Sequence, residues 1–404
     1  MLEFLGPLPT GAAGLTWLVI TFLVGVAWFK RHLDINRGRQ EPVLRADEPG
    51  PADAGELRSL TMLVAGKDEE ANIERCARGL MAQRYPRLEI ILVDDRSEDR
   101  TPEIIDALAR EDARVTAVHV KTLPAGWFGK NHAMHTGVGR ASGEWLCFSD
   151  ADCTYDSPEL LAAAMRFALR ERVEFLSVLP VLEAASLWER IVQPVAGAIM
   201  VFWFPPQKVN DPRSSRAYAN GAFMLMSRAA YERLGGHEPV KATLNEDMHL
   251  ARRAKQLGVS LRVIRCDGLY RVRMYTGFRQ IWRGWSRIFY GCFGTFPRLL
   301  VSVLMLAIFS VGPWVTLAAG LATGAHWFAA ASLLTIVGQQ SVIWRFYALT
   351  GNGAVWGLTY PVGALICLGM TLNAMTRLFG TTTNWRGTNY SGGAQTAPEP
   401  GQNP

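Results

Sequence analysis

An α/β domain with a mostly parallel sheet, set between apolar helices at both ends of the chain, is the fold class this sequence predicts. Three observations carry it. Short apolar runs alternate with helix-patterned stretches from about residue 59 to residue 277, the order expected of a sheet covered on both faces. Long uncharged runs lie on either side of that region. Acidic residues follow directly after three of the short apolar runs, on the rim where such sheets bind ligands.

The elements follow in order. Residues 1–39 contain an uncharged run of 19 residues, Gly11 to Phe29, and are expected to form an anchor. Residues 40–58, rich in Pro, Gly, Ala and acids, read as a linker. Leu60 to Ala65 is a first strand. A helix from about Glu69 places Ile73, Cys76, Ala77, Leu80 and Met81 on one face. Glu89 to Val93 is a second strand. Thr101-Pro102 then starts a helix, Thr as N-cap and Pro at the first helical position. Val115 to Val120 is a third strand, Lys130 to Arg140 a helix, and Trp145 to Ser149 a fourth strand. Ser157-Pro158 repeats the capped start before a helix to about Arg170. A strand at Phe223 to Ser227 and a helix opening at Glu246-Asp247 complete the pattern.

Phe278, Ile281, Trp282, Trp285, Ile288 and Phe289 form an apolar stripe opposite Arg279, Arg283 and Arg287. Residues 278–298 therefore read as an amphipathic helix suited to a membrane interface. Ile191 to Phe204, 14 residues with Pro194 inside, is short for a span and reads as interfacial or buried. Residues 299–378 hold three further uncharged runs: Leu299 to Thr323, Trp327 to Trp344 and Ala354 to Met375, of 25, 18 and 22 residues. About 20 apolar residues span a bilayer core, so four candidate spans emerge, the third the weakest because it holds Gln339-Gln340. Residues 379–404 form a tail, expected to lack order after Tyr390.

Lys30, Arg31, Arg37 and Arg39 follow the first run, and Arg279, Arg283, Arg287 and Arg298 precede the second. Basic flanks stay cytoplasmic, so the middle domain is expected in the cytosol of a bacterium, against its inner membrane. Arg377 and Arg386 after the last run conflict with a simple three-span tail. A cleaved signal peptide has its basic residues before the apolar run, the reverse of what is seen. The six cysteines lack Cys-x-x-Cys spacing, which excludes the usual zinc patterns and fits reduced core thiols. The net charge of +6 reads as membrane-surface charge. No nucleic-acid motif is evident, and no nucleic-acid partner is expected.

Asp150-Ala151-Asp152 is the most informative motif. Side chains at i and i+2 of a strand share a face, so both carboxylates are expected to leave the fourth strand on one side. Mg²⁺ typically takes one or two carboxylates plus substrate phosphates. Ala65-Gly66-Lys67-Asp68-Glu69-Glu70 after strand one and Asp94-Asp95-Arg96-Ser97 after strand two add acidic turns to the same rim. Such a rim repels itself without a cation. A metal–nucleotide site follows.

These motifs resemble those of family 2 glycosyltransferases. The residues that carry the resemblance are Lys67 to Ile73, Gln83-Arg84-Tyr85-Pro86, Val93 to Thr101 and Asp150-Ala151-Asp152. It covers about residues 59 to 290. With Leu123-Pro124-Ala125-Gly126-Trp127-Phe128-Gly129-Lys130 and the flanking spans, the chain is similar to lipid-directed members: carotenoid, hopanoid-associated and ceramide glycosyltransferases. The resemblance implies a GT-A (Rossmann-like) domain over residues 59–277. It implies Ala65, Glu69 and Asp94 or Asp95 against the nucleotide. It also implies Asp150 and Asp152 on Mg²⁺ or Mn²⁺ bridging the donor diphosphate. Lys130 either adds a positive charge there or is a surface lysine. Leu244-Asn245-Glu246-Asp247 is similar to the family's Glu-Asp motif, which implies Asp247 as general base and Glu246 as its alternative. Gln280, Arg283 and Trp285 resemble a Gln-x-x-Arg-Trp motif toward the diphosphate or acceptor, with a Gly inserted before Trp285.

The implied activity is inverting transfer of a hexose from a nucleotide sugar, UDP-linked, to a lipid. A polysaccharide synthase and a catalytically silent sugar-nucleotide-binding membrane protein are the rivals.

Overall fold

The computed structural model describes residues 11–35, 41–49 and 57–379, and short strands at 383–385, 388–391 and 394–395. Arg37, Arg39, Arg386, residues 50–56 of the expected linker and residues 396–404 of the tail lie outside the described residues. The chain divides into two units: Glu41–Glu183 with Phe204–Met274 and Gly380–Pro404, and Met1–Gln40 with Ala184–Trp203 and Tyr275–Phe379.

The first unit is built on a sheet. Its strands are β1 (Val43–Leu44), β2 (Leu60–Gly66), β3 (Leu88–Asp95), β4 (Val115–Val120), β5 (Trp145–Asp150), β6 (Cys153–Tyr155), β7 (Phe175–Leu179), β8 (Val181–Leu182), β9 (Met224–Ser227), β10 (Leu261–Cys266) and β11 (Tyr270–Val272). The main sheet runs β1-β10-β7-β9-β5-β2-β3-β4. All neighbours are parallel except β9, which is antiparallel to both β5 and β7. β11 pairs antiparallel with β6 and parallel with β8 in a second small sheet.

Both faces of the main sheet are covered, as the continuous apolar strands require. Met62 and Val64 of β2 and Ile90 and Leu92 of β3 point to one side. They pack there with Ile73, Cys76 and Leu80 of helix Ile73–Met81, Ile105 and Leu108 of helix Thr101–Glu111, and Leu160 to Phe167 of helix Leu160–Arg170. Leu63 points the other way, with Phe148, Met224 and Met226, onto Leu250, Ala251 and Ala254 of helix Glu246–Gln256. Ile91 and Val93 meet Ala133 of helix Gly129–Val138. The two-residue alternation thus feeds two cores, one on each face.

Three local expectations are corrected. Thr101 is the first residue of its helix and not the N-cap; its hydroxyl accepts the Glu69 N–H at 2.8 Å instead. Val43–Leu44, inside the expected linker, adds an edge strand beside β10. Past Tyr390 the tail is not wholly without order, because Thr388–Ser391 pairs with Thr383–Trp385 and Ala394–Gln395.

The second unit is helical. Its helices include Ala12–Ile35, Leu187–Trp203, Phe278–Phe293, His326–Leu349 and Tyr360–Thr376. Four stretches are long and apolar enough to cross a membrane: Ala12–Leu33, Phe296–Thr323, His326–Leu349 and Ala354–Thr376. They match the four expected spans. Small residues set the close approaches. A Cβ at Gly363 would lie 2.4 Å from the Ile191 carbonyl, and one at Gly25 2.8 Å from Thr335 Oγ1. Leu187–Trp203 runs through Pro194 as one helix, with Ile191, Val195 and Ile199 buried. Phe278–Phe293 buries Ile281, Trp285 and Phe289 and leaves Arg279 and Arg283 exposed. It stops at Gly294 in the left-handed region, φ 61°.

Gln339, the residue that weakened the third span in the sequence, answers a defect in the second. Pro313 has no N–H to bond the carbonyl of Phe309 four residues earlier, and the chain widens into a π-turn at Leu306–Val311. Gln339 Nε2 donates to the Phe309 and Ser310 carbonyls at 2.9 and 3.2 Å, and Trp28 Nε1 donates to Phe309 at 2.9 Å. Trp314 Nε1 in turn donates to Gln339 Oε1 at 2.7 Å. In an apolar surrounding each of these groups needs such a partner. Gln339→Leu is expected to lower stability by about 1–2 kcal/mol, the upper range for membrane hydrogen bonds, read as an earlier midpoint in SDS-induced unfolding.

Candidate active site

Register alone assembles the rim. Ala65 of β2 lies opposite Asp150 of β5 on one side and Val93 on the other, and Gly66 lies opposite Asp94 of β3. The acidic ends of β5, β2 and β3 are therefore neighbours at one level of the sheet. Gly66 is pressed between turns: a Cβ there would lie 3.3 Å from Glu69 and 3.6 Å from Ala151.

The turns after β2 and β3 cap each other. Asp68 N–H donates to Ser97 Oγ and Glu98 N–H to Asp68 Oδ1, both at 2.9 Å. Glu70 N–H donates to Asp99 Oδ2 at 3.0 Å, and Arg100 N–H to Glu70 Oε2 at 3.2 Å. Asp68 and Arg96 take positive φ, 53° and 57°. These exchanged bonds hold that less favourable backbone. The adjacent acids of β3 then diverge. Arg96 grips both oxygens of Asp95 at 2.8 and 3.0 Å, so Asp95 serves the turn. Asp94 Oδ1 accepts the Ser97 N–H at 3.0 Å, and Oδ2 stands 3.5 Å from His119 Nδ1.

Asp150 and Asp152 do not share a strand face as expected, because β5 ends at Asp150 and Asp152 lies in the turn to β6. They are brought together by the turn instead. Asp152 is half-buried, and its inaccessible Oδ1 has no hydrogen-bond partner. Burial first, then the charges of Asp150 and Glu69, push its carboxyl up from the ordinary range. Among the described residues no group of three or more His, Cys, Asp or Glu could hold a metal alone. An orphaned carboxylate oxygen beside a second carboxylate nevertheless fits a hard divalent cation that completes its shell with phosphate oxygens.

Lys130 ties this end to the second acidic group. Its Nζ lies 2.5 Å from Asp150 Oδ1 and 2.7 Å from Glu246 Oε1. Burial opposes its charge, and the two carboxylates overcome that, holding the ammonium well above the ordinary lysine range. The surface-lysine alternative is thereby corrected. Asp247 follows Glu246 at the start of its helix. Asp247 Oδ2 accepts the Gly221 N–H at 3.0 Å and Oδ1 that of Met248 at 2.7 Å. Burial first, then the Glu246 charge, push Asp247 up to about 7. A Cβ on Gly221 would meet Lys130 Nζ at 3.1 Å and both acids at 3.5 Å, so the three groups converge on a position without a side chain.

Residues 62–235 match the Glycosyl transferase family 2 profile. This is a family 2 glycosyltransferase domain. Two relatives, both named 4,4'-diaponeurosporenoate glycosyltransferase, come from Staphylococcus aureus strains MRSA252 and USA300. They are 23% and 24% identical over 251 and 253 residues, 61% of this chain. The match spans 65% of those relatives' length, a little under two thirds. A solved mannosyltransferase from Pyrobaculum calidifontis, in complex with GDP-Man and Mn²⁺, superposes with a TM-score of 0.53 at 20% identity. It covers 86% of this chain and 99% of its own. The fold is GT-A, mostly parallel as expected.

The structure gathers Ala65, Glu69, Asp94, Asp95, Lys130, Asp150, Asp152, Glu246 and Asp247 in one unit, while Gln280, Arg283 and Trp285 belong to the helical unit. There Gln280 Oε1 accepts from Thr276 N–H and Oγ1 at 2.9 and 3.1 Å, closing the helix start. Arg283 is exposed, and Trp285 is buried beside Phe289. Sequence reasoning missed Arg96 as the holder of Asp95, and Asn131. Only the three-dimensional pairing reveals them.

His237 of Gly235-Gly236-His237-Glu238 is fully buried, its Nδ1 2.7 Å from Tyr231 Oη. Burial, then Lys130 and His135, push it down to about 3. The unfolded histidine protonates near pH 6.5, so the unfolded state binds more protons between there and about 3, and stability falls as pH drops through that window. His237→Phe is expected to lose less melting temperature than wild type over that range, measured by intrinsic fluorescence.

Proposed function

We propose that the chain is a membrane-bound inverting glycosyltransferase that moves a hexose from a nucleotide sugar, UDP-linked, to a lipid acceptor. The observation that carries this reading is the pairing of two acidic groups through Lys130. One is a carboxylate rim suited to a cation and a diphosphate. The other is a half-buried acid, Asp247, at a helix start beside it. The family 2 match, the relatives' carotenoid-derived name and four apolar helices support it. The solved mannosyltransferase with GDP-Man and Mn²⁺ supports a nucleotide-sugar donor and a divalent cation. Lys30, Arg31 and the basic residues from Arg279 to Arg298 support a catalytic domain on the cytosolic side of a bacterial inner membrane.

In this reading Ala65, Glu69 and Asp94 line the nucleotide, with Asp95 held by Arg96 behind them. Asp150 and Asp152 would hold Mg²⁺ or Mn²⁺, which when bound would offset charge on the departing diphosphate. Lys130 adds a fixed positive charge on the same side. Asp247 removes the acceptor hydroxyl proton as the oxygen attacks the anomeric carbon, and single displacement inverts that centre. Glu246 is the poorer base because it already pairs with Lys130. Gln280, Arg283 and Trp285 keep the role that the resemblance implies, toward the diphosphate or the acceptor, and the Leu187–Trp203 and Phe278–Phe293 helices form the lipid entry.

Membranes carrying the chain, given labelled UDP-glucose and in parallel labelled GDP-mannose, are expected to yield a labelled lipid with the UDP sugar. Long water-soluble chains would favour a polysaccharide synthase, and no transfer from either donor would overturn the reading. A base works only when ionised. With Asp247 raised to about 7, kcat/KM is expected to fall as pH drops below that value. Asp247→Asn should lose about 10²–10⁴-fold in rate, the usual worth of a general base. Glu246→Gln should keep the acid limb but move it to lower pH, because the charge that raises Asp247 is gone.

A further inference from the structure

We propose that Asn131 is a positioning residue that fixes the height of Asp247 above the sheet; this rests on the assignment of Asp247 as base. Asn131 is fully buried on helix Gly129–Val138. Its Nδ2 donates to the carbonyls of Val240, Lys241 and Thr243 at 2.8, 3.2 and 2.9 Å. One amide group thus gathers three carbonyls of the turn that leads into the Glu246–Gln256 helix. Converging carbonyls repel, and buried ones need a donor. The turn keeps this shape because the Asn131 NH₂ stands at its focus.

Two further contacts hold the same turn from the same segment. Phe128 N–H donates to the Lys241 carbonyl at 2.6 Å. The Lys241 ammonium lies 5.9 Å from the centre of the Trp127 ring. The next residue along the helix, Lys130, binds Glu246 directly. The segment Trp127 to Asn131 therefore grips the acid pair at both ends: the turn before it through Asn131, and Glu246 through Lys130. Only two residues, Leu244 and Asn245, separate Thr243 from Glu246, so a shift of the turn is passed to Asp247 with little slack.

Asn131 Oδ1 accepts nothing. The side chain is used only as a donor, at the expense of a buried acceptor. Leucine would remove that orphan, so a demand for apolar packing alone does not account for an amide here. Aspartate would keep the shape and replace the donor with oxygen facing three carbonyls.

The test compares Asn131→Asp, Asn131→Leu and Asp247→Asn with wild type in lipid membranes. It reads transfer from labelled UDP-glucose to lipid, affinity for UDP with MnCl₂, and thermal midpoint. Displacing a catalytic group by about 1 Å costs on the order of 10²-fold, so both Asn131 variants are expected to lose about 10- to 100-fold in kcat per folded molecule. UDP affinity should stay within about twofold, since the Asn131 amide bonds carbonyls of residues 240, 241 and 243 and none of the strand ends assigned to the nucleotide. Wild-type kcat in both variants, with Asp247→Asn inactive, overturns the inference and leaves the base assignment standing. Loss of kcat and UDP affinity together, or only in proportion to lost folded protein, overturns it as well, because a purely structural role does that. Full activity in Asp247→Asn overturns the base assignment and this inference with it.

Discussion

The ion pair of Lys130 with Asp150 and Glu246 is the constraint on which the site depends. Around it stand Glu69, Asp152 and Asp247, so carboxylates outnumber the one buried ammonium. Removing it would strand Glu246 as a buried charge with no partner, a loss of about 3–5 kcal/mol for such a pair. The same imbalance explains the unsatisfied Asp152. A single lysine neutralises the contacts it makes and leaves a net demand for positive charge on the rim, which a divalent cation with a diphosphate would meet.

The fold places that lysine by ordinary means. β5, β2 and β3 are adjacent because parallel strands joined by helices sort that way, and their carboxyl ends carry the acids. Helix Gly129–Val138 packs Ala133 against Ile91 and Val93, bringing its first turn over the same ends. The antiparallel β9 sits between β5 and β7. Gly221, just before β9, consequently lies beside Asp150's strand, its N–H on Asp247. One reversed strand thus brings the second half of the chain to the rim built by the first half.

Much of this was legible in the sequence because it is local. Strand β4 appeared at its observed ends, β2, β3 and β5 within a residue or two, and the four apolar stretches were set by length and the lack of charge. The acidic turns were visible because they follow apolar runs directly. What escaped was pairing over distance. Asp94 and Asp95 looked equivalent until Arg96 took Asp95. Asn131 is an ordinary helix residue until residues 240–243 fold against it. Gln339 counted against a span, although it supplies the partner that Pro313 denies to Phe309. Val43–Leu44 needs β10, some 220 residues away, to become a strand. In each case the deciding partner lies outside any local window, and hydrophobic period carries no record of it.

Glu246 and Asp247 show how far environment outweighs type. Both stand at the start of one helix, where the backbone dipole favours negative charge and by itself would keep both acids ionised. Of the two, Glu246 is the one that Lys130 pairs with directly, at 2.7 Å. Asp247 receives two backbone N–H groups, yet burial and the neighbouring negative charge overcome them and push it up to about 7. Two adjacent acids with such different neighbours can divide roles between a fixed charge and a proton acceptor. The difference between the two acids therefore resides in the position of helix Gly129–Val138, which brings Lys130 into direct contact with Glu246.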